Sequence, residues 1–192
     1  MLEIERWKTG ATFAYSVIYE NAFEVLLRHA VPMHDEFLMP ASVAVVAGQI
    51  GQIHNVPGSP YHLLHRHMDV RELMRLAAKG WSISSHSMTH GDVAGNLYQE
   101  VAGSRAAIEE ALETDVTSLV LPESDAEIVN VGVFASRHGY LSMFTWHDHL
   151  NLPDDDLFSL GRTPLIEEGP RPRRRKFDPY DRLALAREMG GW

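Results

Sequence analysis

Short apolar runs rich in β-branched and aromatic residues alternate along the chain with segments whose apolar residues recur at helical spacing. The runs predict strands at residues 8–15, 42–47, 81–84, 116–121 and 140–145. The helical spacing predicts helices between them, at residues 21–30, 70–79, 98–112 and 128–138. Asn21 and Asp69 are typical N-cap residues, and Gly80 and Gly139 are typical of helix ends. Strands that alternate with helices predict an α/β fold, with a parallel sheet or barrel covered by helices.

The loops that follow the predicted strands are where an α/β protein of this kind binds its ligand. These loops begin after Tyr15, Ala47, Ser84, Leu121 and Thr145. The longest irregular stretch, residues 49–67, follows the second strand, and a loop of that length is usually functional or mobile. The candidate chemistry is therefore expected at this edge of the sheet.

The composition is that of one globular domain, and it excludes several kinds of site. The 192 residues are 45% hydrophobic and include no cysteine, which predicts a single packed domain over residues 1–192 without disulfides, thiolate metal sites or a cysteine nucleophile. The formal net charge of -9 argues against nucleic-acid binding. The one basic run, residues 171–176, lies between Pro170 and Pro179 and is expected to be a solvated loop.

The sequence shows neither a signal peptide at its start nor an apolar stretch long enough to cross a membrane. We therefore expect an unexported, cytoplasmic protein without a membrane segment.

Two histidines in the loop after the third predicted strand form the most distinctive candidate site. Residues 85–90 read Ser-His-Ser-Met-Thr-His, so that His86 and His90 are four positions apart. If this segment turns helically, both rings lie on one face at the carboxyl edge of the sheet. Two imidazoles and a third protein ligand suit a tetrahedral zinc ion that keeps one position for water.

The segment around these histidines carries a family resemblance. Residues 73–90, Leu-Met-Arg-Leu-Ala-Ala-Lys-Gly-Trp-Ser-Ile-Ser-Ser-His-Ser-Met-Thr-His, closely resemble the metal-binding segment of polysaccharide deacetylases, also called carbohydrate esterase family 4. Residues 12–16 take the place of that family's first motif, Thr-Phe-Asp-Asp-Gly. The resemblance implies a distorted, incomplete (β/α) barrel and a divalent metal, usually zinc, held by His86 and His90. It also implies hydrolytic removal of an acetyl group from an N-acetylated sugar.

The family's catalytic positions differ in this chain. Where the family has one aspartate as general base and the next as metal ligand, this sequence has Ala14 and Tyr15, which suit neither role. Val120 stands where the third motif has an arginine. The final motif, with its general-acid histidine, has no match, but residues 190–192 resemble the approach to it, so we expect a trimmed C-terminus.

Three carboxylates are candidates for the missing metal ligand, namely Glu20, Asp92 and Asp148. The sequence does not choose between them, because Glu20 also suits a helix N-terminus and Asp92 also suits a turn. His147 and His149 could complete a three-histidine site, or they could form an exposed pair at a strand end.

Two further clusters of polar residues have ordinary structural interpretations. The loop of residues 49–67 contains four histidines, His54, His62, His65 and His67. No carboxylate is interleaved among them, which favours a polar surface loop over a histidine-lined rim of a substrate site. Residues 154–156 are three aspartates that could attract a hard cation, but the pattern favours a solvated acidic turn.

Two functions follow from these observations. The first is a metal-dependent hydrolase that removes N-acetyl groups from a carbohydrate, with an unidentified carboxylate in place of the usual pair. The second is a catalytically inactive protein of the same fold that binds a saccharide or a protein partner. The second is motivated by the loss of three family roles at positions 14, 15 and 120.

Overall fold

The computed structural model describes residues 14–55, 61–122 and 128–163. The strands are β1 (Ile18–Tyr19), β2 (Ser42–Val45), β3 (Ser82–Ser85), β4 (Ser118–Val120) and β5 (Ser142–Phe144). The α-helices are α1 (Leu26–Glu36), α2 (Val70–Ala78), α3 (Ser104–Leu112) and α4 (Ile128–Arg137). Single turns of 3₁₀-helix lie at Glu20–Ala22, Ala47–Gln49 and Ala94–Asn96, and a π-helical segment, Tyr98–Gly103, leads into α3.

The strands form one parallel sheet in which their order follows the chain, from β1 to β5. Ile18 pairs with Ser42, Val43 with Ile83, Ser85 with Leu119, and Val120 with Phe144. A helix lies between β1 and β2, and each later strand is also preceded by one. This arrangement is an incomplete (β/α) barrel, which confirms the predicted fold class. All carboxyl ends of the strands lie at one edge.

The continuous apolar run in β2 reflects burial on both faces of the sheet. Val43 and Ala44 have no exposed surface, and Val45 is only 2% exposed. Helix α2 begins at the predicted residue because Asp69 accepts a hydrogen bond from the Glu72 backbone while the Glu72 carboxylate accepts one from the Asp69 backbone. This reciprocal capping box is encoded locally, so the sequence alone is sufficient to predict it.

The first predicted strand and the first predicted helix are both wrong in their positions. Residues 14–17 are irregular, and the strand is Ile18–Tyr19, while residues 8–13 lie outside the described residues. Asn21 is not an N-cap: it has a φ of 64° inside the 3₁₀ turn. The helix is delayed to Leu26 because Phe23 pairs with His67 in an antiparallel bridge and the Glu24 amide donates to the Arg66 carbonyl. Tertiary pairing thus overrides the apolar spacing of residues 22–27.

Within the described ranges, no helix has both the length and the apolar character needed to span a bilayer. The basic run of residues 171–176 and the segment 190–192 lie outside the described residues. The assignment of one domain over residues 1–192 stays a prediction.

Candidate functional site

Residues from four of the five strand ends meet at the carboxyl edge of the sheet. The turn after β1 contributes Glu20 and Asn21, and His86 directly follows β3. His90 comes from the loop beyond β3. Arg162 reaches the same place from the segment that follows β5, where its guanidinium bonds to the ends of β4 and β5.

The buried His86 ring has one nitrogen that is hydrogen-bonded and one that has no hydrogen-bond partner among the described residues. Its Nδ1 lies 2.7 Å from the Val120 carbonyl oxygen, and a carbonyl only accepts, so this nitrogen donates and carries the proton. Its Nε2 therefore presents a lone pair, and it has no hydrogen-bond partner among the described residues. Burial, assisted by the neighbouring His90, lowers the pKa of His86 well below the usual value, which keeps the ring neutral.

His90 lies against His86, with ring centroids 4.8 Å apart. A tight loop brings the rings together, since Ser87 and His90 both have positive φ, at 67° and 63°. The His90 amide donates to the Ser87 hydroxyl at 2.9 Å, which fixes this conformation. Burial also lowers the pKa of His90. The predicted pair of histidines is thus brought together, although by a left-handed turn rather than a helical one.

The Glu100 carboxylate stabilises this loop through three hydrogen bonds. Its Oε2 accepts hydrogen bonds from the backbone amides of Met88 and Thr89 at 3.1 and 3.0 Å, and its Oε1 accepts one from the Thr89 hydroxyl at 2.8 Å. The side chain is buried at the start of the helical segment that leads into α3. No sequence pattern distinguishes Glu100, because a glutamate in a helix usually faces solvent.

Replacement of Glu100 by alanine is expected to lower the free energy of unfolding by about 2–4 kcal/mol, because two backbone amides in partly buried hydrogen bonds and the Thr89 hydroxyl lose their charged acceptor. Glu100→Gln is the matched control, since its amide oxygen can still accept from both, and we expect a loss of about 1 kcal/mol. Urea unfolding of the three proteins measures this difference. Equal stabilities of Glu100→Ala and the unaltered protein would contradict the assigned role.

Glu20 and Arg162 form an ion pair beside His86. Arg162 Nη1 donates to Glu20 Oε1, and Glu20 Oε2 lies 3.8 Å from His86 Nε2. Arg162 also donates to the carbonyls of Leu121 and Thr145 at 2.6 and 2.9 Å. Burial lowers the pKa of Arg162, while Glu20 opposes that shift. The guanidinium therefore fixes the carboxylate against the sheet edge, with one oxygen directed to the histidine.

These contacts revise the positions assigned by resemblance. Ala14 and Tyr15 precede β1, and Tyr15 is exposed, so they do not occupy the edge of the sheet. The residues that follow the first strand are Glu20 and Asn21. Arg162, which no sequence pattern identifies, lies at this edge and donates to the carbonyl of Leu121, the residue after Val120.

The other candidate ligands have structural roles that the sequence also allowed. Asp92 is exposed and accepts from the Gly95 amide at 3.1 Å, which is the geometry of a turn. Asp148 is exposed and accepts from the Thr163 hydroxyl at 2.7 Å. His147 and His149 are exposed residues beyond β5. Of the three proposed carboxylates, Glu20 is the one for which a contact with His86 is found.

The three aspartates of residues 154–156 belong to turns. Asp155 accepts from the Leu152 amide at 2.7 Å, and Asp156 accepts from the Phe158 amide at 2.9 Å. These contacts agree with the interpretation of this run as an acidic turn.

The interpretation of residues 49–67 as a polar surface loop is wrong for two of its four histidines. His54 and His67 are buried, and His54 Nδ1 lies 2.9 Å from His67 Nε2. The His54 ring is 6.2 Å from the His90 ring. Phe23 packs edge-on to His54 and tilted against His67, with centroids 5.1 Å away from each. Phe23, which follows the first strand, thus packs against both buried rings. It is far from His54 and His67 in sequence, so no local pattern predicts this contact.

The donor atoms at this edge are of the chemical types that bind a divalent metal. They are, however, spaced more widely than the ligands around a bound ion. Among the described residues, no group of three or more His, Asp or Glu side chains is close enough to hold an ion. The set does contain neutral imidazoles beside a carboxylate, which are donor types that bind divalent metals in proteins. The buried Nε2 of His86, which has no hydrogen-bond partner in the described chain, is the atom that a metal would satisfy.

Comparison with known proteins identifies the fold. No family model matches this sequence, and no curated protein matches it significantly. Solved structures do match, and they show that the chain has the fold of polysaccharide deacetylases. IcaB from Ammonifex degensii superposes with a TM-score of 0.66 at 17% identity, over 79% of this chain and 67% of IcaB.

Two deacetylases give similar superpositions. The Streptococcus pyogenes deacetylase PplD, solved with acetate, gives a TM-score of 0.65 at 15% identity, over 81% of this chain and 66% of PplD. BC0361, a polysaccharide deacetylase from Bacillus cereus, gives 0.63 at 17% identity, over 84% of this chain and 50% of BC0361. The chain thus spans about two thirds of the length of the first two proteins and half of the third.

Proposed function

We propose that this chain is a metal-dependent hydrolase that removes N-acetyl groups from a carbohydrate. The observation that supports this function is the meeting of Glu20 with His86 and His90 at the carboxyl edge of a deacetylase fold. His86 and His90 would hold the ion, for which zinc suits the imidazole donors best. When bound, such an ion lowers the pKa of water and stabilises the oxyanion of an amide under attack.

Glu20 is the general base in this proposal. Arg162 pairs with its carboxylate and fixes Oε1, which leaves Oε2 on the side of His86 to accept the proton of the attacking water. The same carboxyl group then returns a proton to the leaving amine nitrogen. Neutral His86 and His90 are ready to bind a cation at neutral pH because burial suppresses their protonation.

The deacetylase fold supports an N-acetylated carbohydrate as the substrate class, since the solved proteins that share this fold include polysaccharide deacetylases. N-acetylated sugars are therefore the substrates to test first. The alternative of an inactive binding protein was motivated by the residues at positions 14, 15 and 120. Glu20, Asn21 and Arg162 at the same edge weaken that motivation.

Acetate release from N-acetylglucosamine oligomers tests the proposed function. The zinc-loaded protein should release acetate, treatment with a chelator should stop the release, and added zinc should restore it. His138→Ala is a suitable control, because this ring stacks on Phe134 at the end of α4, and the variant should remain active. If zinc-loaded protein releases no acetate from oligomers of any length, the proposed activity is wrong.

A further inference from the structure

We propose that Asn151 is a positioning residue for Glu20, and that it acts through Gly161 and Arg162. This inference rests on the proposed function, in which Glu20 is the general base. Asn151 lies on the loop beyond β5, and its part is to fix the position of the carboxylate rather than to contact the substrate.

The side chain of Asn151 pairs with both backbone polar groups of Gly161. The Gly161 amide donates to Asn151 Oδ1 at 2.6 Å, and Asn151 Nδ2 donates to the Gly161 carbonyl oxygen at 3.1 Å. Gly161 is buried, so its amide and carbonyl need partners within the protein, and one side-chain amide supplies both. The two bonds together restrict both the position and the rotation of the backbone at Gly161.

The backbone at Gly161 also lies too close to the preceding loop for a side chain. A Cβ atom at this position would be 2.6 Å from His149 Nδ1 and 2.8 Å from the His147 carbonyl oxygen. The Arg162 amide donates to the same carbonyl at 2.9 Å. The glycine therefore allows a close approach between two segments of the chain, and the side chain of Asn151 joins the same two segments.

The two residues before Arg162 are bound by different parts of the structure. The Thr145 amide donates to the Leu160 carbonyl at 2.7 Å, and the Leu160 amide donates to the Met143 carbonyl at 3.1 Å, so Leu160 is paired with β5. The next residue, Gly161, is bound by the side chain of the loop beyond that strand. The backbone that carries Arg162 is therefore fixed independently of the bonds that its guanidinium makes.

The position of the Arg162 backbone bears on the carboxylate of Glu20. The guanidinium packs on the Trp146 ring, 4.9 Å from its centroid, and it donates to backbone carbonyls at the ends of β4 and β5 and to Glu20 Oε1. Glu20 Oε2 lies 3.8 Å from His86 Nε2. A shift of the Arg162 backbone would be transmitted through this ion pair and would move the proposed base relative to His86.

The kinetic test is the substitution Asn151→Ala. It should lower kcat for acetate release by about tenfold, because a displacement of about 1 Å costs about 10²-fold and the remaining bonds of Arg162 limit the shift. KM and zinc content should not change. Asn96→Ala is the matched control, since Asn96 also pairs reciprocally, with Gln99, at an exposed position, and its kcat should equal that of the unaltered protein. A loss of stability with kcat unchanged for folded Asn151→Ala would overturn the inference.

A double variant shows whether Asn151 acts through the base. In the background of Glu20→Gln, the further substitution Asn151→Ala should lower the residual kcat by less than about twofold, because the group that it positions has already been removed. The same fold loss in both backgrounds would mean that the two residues act independently, which would contradict the proposed link.

The side-chain NMR signal of Arg162 tests the link without any activity. Its Nε–H donates to the Thr145 carbonyl at 2.9 Å and lies beside the Trp146 ring, so it should exchange slowly with water and have a distinct chemical shift. The signal is identified by its absence from Arg162→Met. It should shift or exchange faster in Asn151→Ala and stay unchanged in Asn96→Ala. An unchanged signal in Asn151→Ala would overturn the inference.

Failure of this inference is distinguishable from failure of the proposed function. If the zinc-loaded unaltered protein releases no acetate, the proposed function is wrong, and the NMR comparison still decides whether Asn151 fixes Arg162. If the unaltered protein releases acetate and Asn151→Ala matches it in kcat and in the Arg162 signal, only the role of Asn151 is wrong.

Discussion

Replacement of Glu20 by glutamine is expected to lower kcat for acetate release by about 10²–10⁴-fold, the usual contribution of a positioned general base. Glutamine is nearly isosteric and can still accept from Arg162, so the ion pair becomes a hydrogen bond without loss of shape. It has no oxygen able to take a proton from water. The loss should therefore appear in kcat, with KM and zinc content close to those of the unaltered protein.

Glu24→Gln is the matched control for this variant. Glu24 pairs with Arg28 and Arg66 on the surface beside α1, and it has no assigned part in the site. Its kcat should stay within about twofold of the unaltered value, since its two ion pairs are with Arg28 and Arg66 and not with residues of the proposed site. If Glu20→Gln retained full activity, Glu20 would not be the base, and another group would have to receive the proton.

Replacement of Arg162 by methionine is expected to lower the free energy of unfolding by about 2–4 kcal/mol. The substitution leaves the carbonyls of Leu121 and Thr145 without their buried donor, and it leaves Glu20 without its partner. The loss is smaller than for a fully buried pair because the Glu20 side chain is 31% exposed. Activity should fall as well, because the carboxylate is no longer fixed beside His86.

Urea unfolding and acetate release, measured on the same preparation, test this expectation. Arg28→Met is the control, because Arg28 is 75% exposed in its pair with Glu24 and should contribute no more than about 0.5 kcal/mol. An Arg162→Met protein as stable as the control would contradict the view that this residue joins the ends of β4 and β5.

The sequence predicts well those parts of the fold that residues close together in the chain determine. Four of the five strands have bounds within two residues of those predicted, because their apolar runs reflect burial in a parallel sheet. Helix α2 was predicted at both ends, since Asp69 caps it and Gly80, with a φ of 86°, follows it. The spacing of His86 and His90 predicts that their rings lie together, and in the structure the ring centroids are 4.8 Å apart.

The rest of the site depends on contacts between distant residues. β1 has only two residues, and its pairing with β2 defines it, so the apolar residues before it gave the stronger strand signal. That shift placed the expected catalytic pair at Ala14 and Tyr15, whereas the residues that follow β1 are Glu20 and Asn21. Arg162 is 142 positions from Glu20, and no local pattern reveals such a pair.

Burial of His54 and His67 was also beyond the reach of sequence patterns. A loop rich in histidines and without carboxylates is typical of a solvated surface. In this fold the loop pairs with the turn after β1 through the bridge between Phe23 and His67. That pairing accompanies the burial of the His54 and His67 rings.

The metal content of the purified chain tests the central claim most directly. Elemental analysis after incubation with zinc and removal of the excess should find about one ion per chain, and a His86→Ala/His90→Ala double variant should retain none. Thermal unfolding of the metal-free proteins checks that the variant remains folded. If the unaltered protein keeps no ion after incubation with excess zinc, this edge of the sheet is not a metal-dependent deacetylase site.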